Sequence, residues 1–229
     1  ELRGLGIIPD ILVCRSEKPL EEETRAKLAA FCHVAEDAVV SAHDVSNLYQ
    51  IPISLYEQSV LRKVSDQLGF TVPNSMPLLE DWRVMADKVD NLEKEVRIAM
   101  VGKYTGLSDS YLSVIKALQH SAFSVNRKLE IDWIESTELD PTEDSENHDD
   151  AWKIVKAADG ILVPGGFGIR GIEGKIAAAH YARTNNVPYL GVCLGLQIAT
   201  IEFCRNVPGL EGANSTEVHE NTPNTAVVF

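Results

Sequence analysis

The sequence predicts an α/β protein: a mostly parallel sheet with helices on both faces, preceded by a smaller, partial α/β segment. Three observations carry this. Short apolar runs such as "VRIAMVG", "GILVPGG" and "VPYLGVC" alternate with stretches of helical length and pattern, and alternating strands and helices build parallel sheets covered on both sides. Two runs end in glycine-rich turns, "PGG" and "GVC", at the strand ends where such sheets bind ligands. The length, 229 residues at 45% hydrophobic and 24% charged, suits one large domain or one and a half.

In chain order, residues 7–14 ("IIPDILVC") read as a short buried strand. Residues 20–33 carry apolar positions at helical spacing, with Glu in the first turn and His at the end, as the helix dipole prefers. "DAVVSAHDVSNLYQIP" predicts a short strand, a turn and a short helix stopped near Pro52; helices follow over 55–68 and 77–92, with the loop "TVPNSMP" between them. A second unit opens near residue 96 with the strand "VRIAMVG". The helix over 108–123 takes Ser108 as its N-cap. The strand "KLEIDWIE" and a short helix at 150–158 come next, then a strand at 160–166 and an Ala-rich helix at 172–185. The strand "VPYLGVC", a helix at 194–206 and the start of a strand in "TAVVF" complete the set. The expected division is 1–70, a helical linker 71–95, and 96–229.

Composition narrows the function. No apolar run approaches the roughly 18 residues of a membrane span. The net charge of −13 argues against nucleic acid as a partner. Eight acids and no Lys or Arg fall in 135–150, which reads as a solvated surface loop. Cys14, Cys32, Cys193 and Cys204 show no CxxC spacing, so reduced thiols in a cytoplasmic protein are expected, without zinc or disulfides. Neither end has the layout of a natural terminus, and a piece of a longer protein is expected.

The chemistry concentrates in "GVCLGLQ". Gly191, Cys193 and Gly195 form G-x-C-x-G, the thiol version of a strand–nucleophile–helix elbow. Glycines on either side let chain and substrate approach, and a helix starting behind Cys193 favours a thiolate. The Leu194 N–H would then face an oxyanion. A buried structural cysteine is the competing reading, and the strand–turn–helix context favours the nucleophile. "PGGFGIRG" matches the dinucleotide pattern G-x-G-x-x-G, but the next strand ends in Cys193 and lacks the acid that pattern requires. The Gly166 N–H as a second oxyanion donor is the better use of this turn. "GANSTE" (212–217) is either an ordinary turn or the place where Glu217 grips a substrate ammonium.

"VPGGFGIRG", "PYLGVCLGLQ" and "GANSTE", with "GKYTGLSDSYLSVIKALQHSA", resemble the triad-type class I glutamine amidotransferase domain of the CTP synthase family. "ELRGLGIIPDILVCRS" and "HDVSNLYQIP" resemble the end of that family's synthetase (amidoligase) domain. The resemblance covers the chain to about residue 218; "VHENTPNTAVVF" departs from it. It implies ATP-dependent amination of UTP to CTP in pyrimidine synthesis, with ammonia from glutamine, Mg2+ beside ATP, and GTP as allosteric activator. It implies Cys193 as the nucleophile that forms a glutamyl thioester, with Gly166 and Leu194 at the oxyanion. Gly166, Leu194, Gly195, Leu196, Gln197 and Glu217 would line the glutamine pocket. Lys27 matches a UTP/CTP contact, and His43, Asp44 and Val45 match a segment beside the ATP base. A homo-tetramer that can stack into filaments is implied for the full enzyme. The family's phosphate loop and magnesium carboxylates match nothing here, and its His-Pro-Glu motif, source of the base, does not occur. Another class I amidotransferase, or a non-catalytic homologue acting as a binding module, remain the alternatives.

Overall fold

The computed structural model describes residues 2–71, 76–103, 108–143 and 145–228. The chain divides into two units, Glu1–Leu92 and Glu93–Phe229.

In the first unit, β1 (Leu12–Ser16), α1 (Glu22–Cys32) and β2 (Val39–His43) form a crossover whose strands pair in parallel from Leu12↔Val39 to Ser16↔His43. The strand expected at 7–14 begins only at Leu12. Pro9 has no N–H to give a ladder, and Ile7 and Ile8 are exposed rather than buried. Helix α1 has Glu22 and Glu23 in its first turn and stops at His33, whose left-handed backbone (φ 56°) returns its N–H to the Ala29 carbonyl. Pro52 opens a helix instead of stopping one: it sits in the first turn of α2 (Ile51–Glu57), where its missing N–H would have had no partner anyway. The single helix expected at 55–68 is two, because Ser59 adopts φ 58° between α2 and α3 (Val60–Leu68). At that break the Gln58 amide clamps the edge of β2, accepting from the Ser41 N–H (2.8 Å) and donating to the Ser41 carbonyl (2.9 Å). Helix α4 (Met76–Asp90) is tied back by Asp90, which accepts from Ser46 and Asn47. Most of the loop expected at 71–77 lies outside the described residues.

The second unit runs β3 (Glu95–Gly102), α5 (Leu112–Ser124), β4 (Lys128–Glu135), α6 (His148–Ala157), β5 (Gly160–Val163), α7 (Ile172–Thr184), β6 (Tyr189–Gly191), α8 (Leu194–Asn206), β7 (Asn214–Ser215) and β8 (Thr225–Val227). The first four strands form one sheet, ordered β4-β3-β5-β6 and parallel throughout. Ala99, Val101, Ile161 and Val163 point to one face and pack with Val155, Ala178 and Ala182 of α6 and α7. Met100 and Leu162 point the other way and are buried as well, so both faces are covered. A second cluster joins Ile172, Ile176 and Ala179 of α7 to Leu194, Ile198 and Ile201 of α8. Helix α5 starts at Leu112 with Tyr111 at its N-cap, after a 3₁₀ turn over Ser108–Tyr111, so the expected cap at Ser108 is displaced by that turn. The acidic stretch is not simply a solvated loop. Ser136, Leu139 and Asp140 are buried, and a Cβ on Gly174 of α7 would lie 1.8 Å from the Ser136 carbonyl oxygen. The helix and the stretch touch backbone to backbone.

Candidate functional site

Because the four strands are parallel, their carboxyl ends share one rim. Lys103 follows β3, Glu135 ends β4, Pro164–Gly166 follow β5, and Cys193 follows β6. The topology thus gathers residues far apart in sequence.

Cys193 sits between β6 and α8 with φ 53° and ψ −108°. That is a conformation L-residues rarely adopt, and such strain clusters at functional turns. The flanking glycines have steric reasons. A Cβ on Gly191 would stand 2.3 Å from the Gly195 carbonyl oxygen, and one on Gly195 would stand 2.1 Å from that of Val163. The end of β6, the first turn of α8 and the end of β5 therefore touch through bare backbone. The Tyr189 hydroxyl, pushed far above its usual range by burial and by the charge of Glu202, donates to the Gly195 carbonyl at 2.9 Å and braces the same turn. The Cys193 carbonyl accepts from Leu196 N–H (3.0 Å) and Gln197 N–H (3.3 Å), so the elbow is capped into the helix while the side chain stays exposed.

Opposite stands the Pro164–Gly165–Gly166 turn. A Cβ on Gly165 would be 3.4 Å from Cys193 Cβ and 3.9 Å from its Sγ, and one on Gly166 would be 3.7 Å from Leu194 Cδ2. Neither the Gly166 nor the Leu194 N–H has an acceptor among the described residues. Two backbone donors without acceptors and a thiol thus lie on facing turns. Gln197 Oε1, on the first turn of α8, is buried without a partner.

Matches to known proteins decide the family. Residues 106–226 match the family described as glutamine amidotransferase class-I. The chain belongs to that family. Residues 1–70 match the CTP synthase N-terminus. Mouse CTP synthase 2 is 48% identical over 99% of this chain and 39% of its own length. Dictyostelium discoideum CTP synthase is 51% identical over 95% of this chain and 41% of its own length. The chain spans about two fifths of the length of these relatives. The glutaminase domain of Trypanosoma brucei CTPS, solved with bound acivicin, is 46% identical over 56% of this chain and 48% of that one, with a TM-score of 0.51.

Within this amidotransferase fold, Cys193, Gly166, Leu194, Gly195 and Gln197 come together. Leu196 points outward and is 63% exposed. Glu217 follows β7 in a turn where its N–H donates to Ser215 Oγ (3.2 Å), and its charge reaches Lys103. In the other unit Lys27 is exposed on α1 and pairs with Glu23 one turn earlier at 2.5 Å, the arrangement of a solvated helix lysine. His43 ends β2 with its ring nitrogen 3.2 Å from Ser41 Oγ, Asp44 pairs with Arg15, and Val45 is half-buried. No imidazole bonds to Cys193 among the described residues. His180 turns to Glu202 (2.8 Å), and His219 lines a small groove with Gly212 and Pro223. No group of three or more His, Cys, Asp or Glu among the described residues could hold a metal ion, so no residue is assigned to magnesium.

Sequence reasoning missed the ionic layer under the turn. Lys103 is buried at the end of β3, and Lys175 of α7 is 2% exposed. Glu135 Oε1 is buried without a hydrogen bond and lies 3.5 Å from Arg170. A lysine directly after an apolar strand, as in "IAMVGK", was the available signal. Burial, with the charge of Lys103, lowers the Lys175 ammonium from 10.5 to about 8. The unfolded chain therefore holds the extra proton between about pH 8 and the ordinary lysine range, and folding stability rises with pH across that window. Lys175→Met has no such proton. Its stability advantage over the parent chain is expected to shrink by up to about 3 kcal/mol between pH 7.5 and 10.5. Urea midpoints across this range measure it, and parallel pH curves would contradict the burial of a charged Lys175.

Proposed function

We infer that this chain serves in a CTP synthase, which aminates UTP with ammonia released from glutamine at Cys193 and consumes ATP. The single observation that carries the reading is the strained Cys193 elbow facing the Gly165–Gly166 turn. The similarity of both parts of the chain to CTP synthases supports the substrates. The Cys193 thiolate attacks the side-chain amide carbon of glutamine, and the carbonyl electrons move to an oxyanion received by the Gly166 and Leu194 N–H groups. Collapse expels ammonia once its nitrogen is protonated and leaves a glutamyl thioester; water then releases glutamate and restores the thiol. The first turn of α8 at Gly195, Leu196 and Gln197, with Glu217, receives the rest of the glutamine. ATP phosphorylates the uracil 4-oxygen and leaves as ADP, and ammonia then displaces that phosphate; Mg2+ bound with ATP would supply charge neutralisation. Lys27 for the uridine nucleotide, and His43, Asp44 and Val45 for the adenine, rest on similarity to the synthetase domain alone. Activation by GTP and a homo-tetramer able to form filaments rest on similarity to the CTP synthase family; the division at 1–70, 71–95 and 96–229 rests on the order of the elements, and a cytoplasmic location on the unpaired cysteine pattern.

The test is CTP formation from UTP, ATP and glutamine by an enzyme of the relatives' length that contains this chain. Glutamate released without CTP would point instead to a class I amidotransferase with another acceptor. Within the same assay Glu217→Gln is expected to raise the KM for glutamine about 10- to 100-fold, the loss of a charged hydrogen bond of roughly 1.5–3 kcal/mol. An unchanged KM would remove Glu217 from the pocket.

A further inference from the structure

We propose that Lys103 is a positioning residue for the oxyanion hole: its ammonium clamps the carbonyls of Phe167 and Gly168 and so fixes the Gly165–Gly166 turn opposite Cys193. The inference rests on Cys193 being the nucleophile and goes beyond it to a residue that touches neither thiol nor oxyanion donor. Lys103 Nζ donates to the Phe167 carbonyl at 2.9 Å and to the Gly168 carbonyl at 3.0 Å. Consecutive carbonyls of an extended chain point to opposite sides. Here both turn to one cation because Gly168 takes φ +78°, a conformation glycine adopts without penalty. No carboxylate lies within ion-pair distance of Nζ among the described residues, although the residue is only 8% exposed. A buried ammonium is costly unless its protons are bonded, so the loop carbonyls are the partners that justify its burial.

The turn needs such a clamp. Gly165 and Gly166 are the two residues with most backbone freedom to lose, and an oxyanion donor works only when already aimed. Upstream the turn is anchored by β5 and by Pro164, whose ring comes within 3.5 Å of where a Cβ on Gly102 would be. Downstream the first anchor is the Lys103 clamp, one peptide beyond the Gly166–Phe167 bond. Lys103 is itself held, since its carbonyl accepts from the Tyr111 hydroxyl at 2.6 Å. Burial and the charge of Arg170 lower its ammonium, while Glu135 and Glu217 oppose them. The end of β3 therefore sets the far wall of the site at the end of β5.

The experiment uses an enzyme of the relatives' length that contains this chain and two thiol reagents, read by mass spectrometry at Cys193. A chloromethyl ketone analogue of glutamine forms an S–C bond as chloride leaves, and its carbonyl oxygen needs the oxyanion donors. Iodoacetamide reports only thiol access. Lys103→Met is expected to slow the maximal chloroketone rate about 10- to 100-fold, below the 10²–10³ of losing an oxyanion donor outright. Its half-saturating concentration and iodoacetamide rate should stay within about threefold, a rate-against-affinity split that general loosening of the fold would not give. Lys103→Arg should recover part of the rate. Gly168→Ala, which strains the carbonyl pair while keeping the lysine (the new Cβ would stand at ordinary contact distance, 3.9 Å, from Lys103 Nζ), should reproduce the defect. Parent-level chloroketone rates in both Lys103→Met and Gly168→Ala would overturn the proposal. If Lys103→Met also changes iodoacetamide labelling, Gly168→Ala decides alone. A parent chain that the chloroketone does not label at Cys193 would instead strike the nucleophile reading itself.

Discussion

Cys193→Ala is expected to abolish CTP formation from glutamine, by at least about 10⁴-fold, in an enzyme of the relatives' length that carries this chain; loss of a covalent nucleophile has effects of that order. Formation from supplied ammonia should continue within about twofold, because the thiol takes part only in releasing ammonia. The split matters more than the loss. An exposed cysteine with no packing role leaves little cavity when truncated, so a fall in both activities would indicate damage elsewhere. Retained use of glutamine would remove Cys193 from the chemistry. The paired assay follows CTP absorbance with glutamine and with ammonium as alternative nitrogen sources.

Gly195→Ala should strongly destabilise the second unit. Its Cβ would stand 2.1 Å from the Val163 carbonyl oxygen and 2.9 Å from the carbonyl carbon. Both are backbone atoms of a buried strand that cannot swing aside as a side chain can. Overpacking of a core costs about 1–3 kcal/mol when side chains can yield, so a backbone clash is expected to cost at least about 3 kcal/mol. For a unit of this size that lowers the melting temperature by roughly 10 °C. Gly4→Ala, where a Cβ meets nothing, should stay within about 0.5 kcal/mol of the parent. Urea unfolding compares the three chains, and a Gly195→Ala chain as stable as Gly4→Ala would mean that α8 does not lie on β5 as described.

The strands and helices of the second unit were legible because their apolar runs are continuous and their helices periodic, and the glycines around Cys193 marked the elbow without any tertiary information. What stayed hidden depended on distant partners. Nothing local shows that Ser136 lies under Gly171 and Gly174, because the acids around it dominate the local pattern. Nor does "VGKY" reveal that Lys103 turns to carbonyls more than sixty residues later. In the first unit the breaks at Pro9 and Ser59 and the start at Pro52 turned on backbone geometry rather than hydropathy. Lys27 shows the limit of pattern in the other direction. The family resemblance implies a nucleotide contact for it, while its own surroundings show a pair with Glu23.

The most direct measurement of the account is where a glutamine-shaped electrophile lands. An enzyme of the relatives' length that contains this chain is treated with the chloromethyl ketone analogue of glutamine, digested, and the adducts at Cys14, Cys32, Cys193 and Cys204 are counted by mass spectrometry, with and without excess glutamine. The account predicts one adduct per chain, at Cys193, suppressed by glutamine and absent from Cys193→Ala. Label spread over the four cysteines, or label at Cys193 that glutamine does not suppress, would contradict a glutamine site at this elbow.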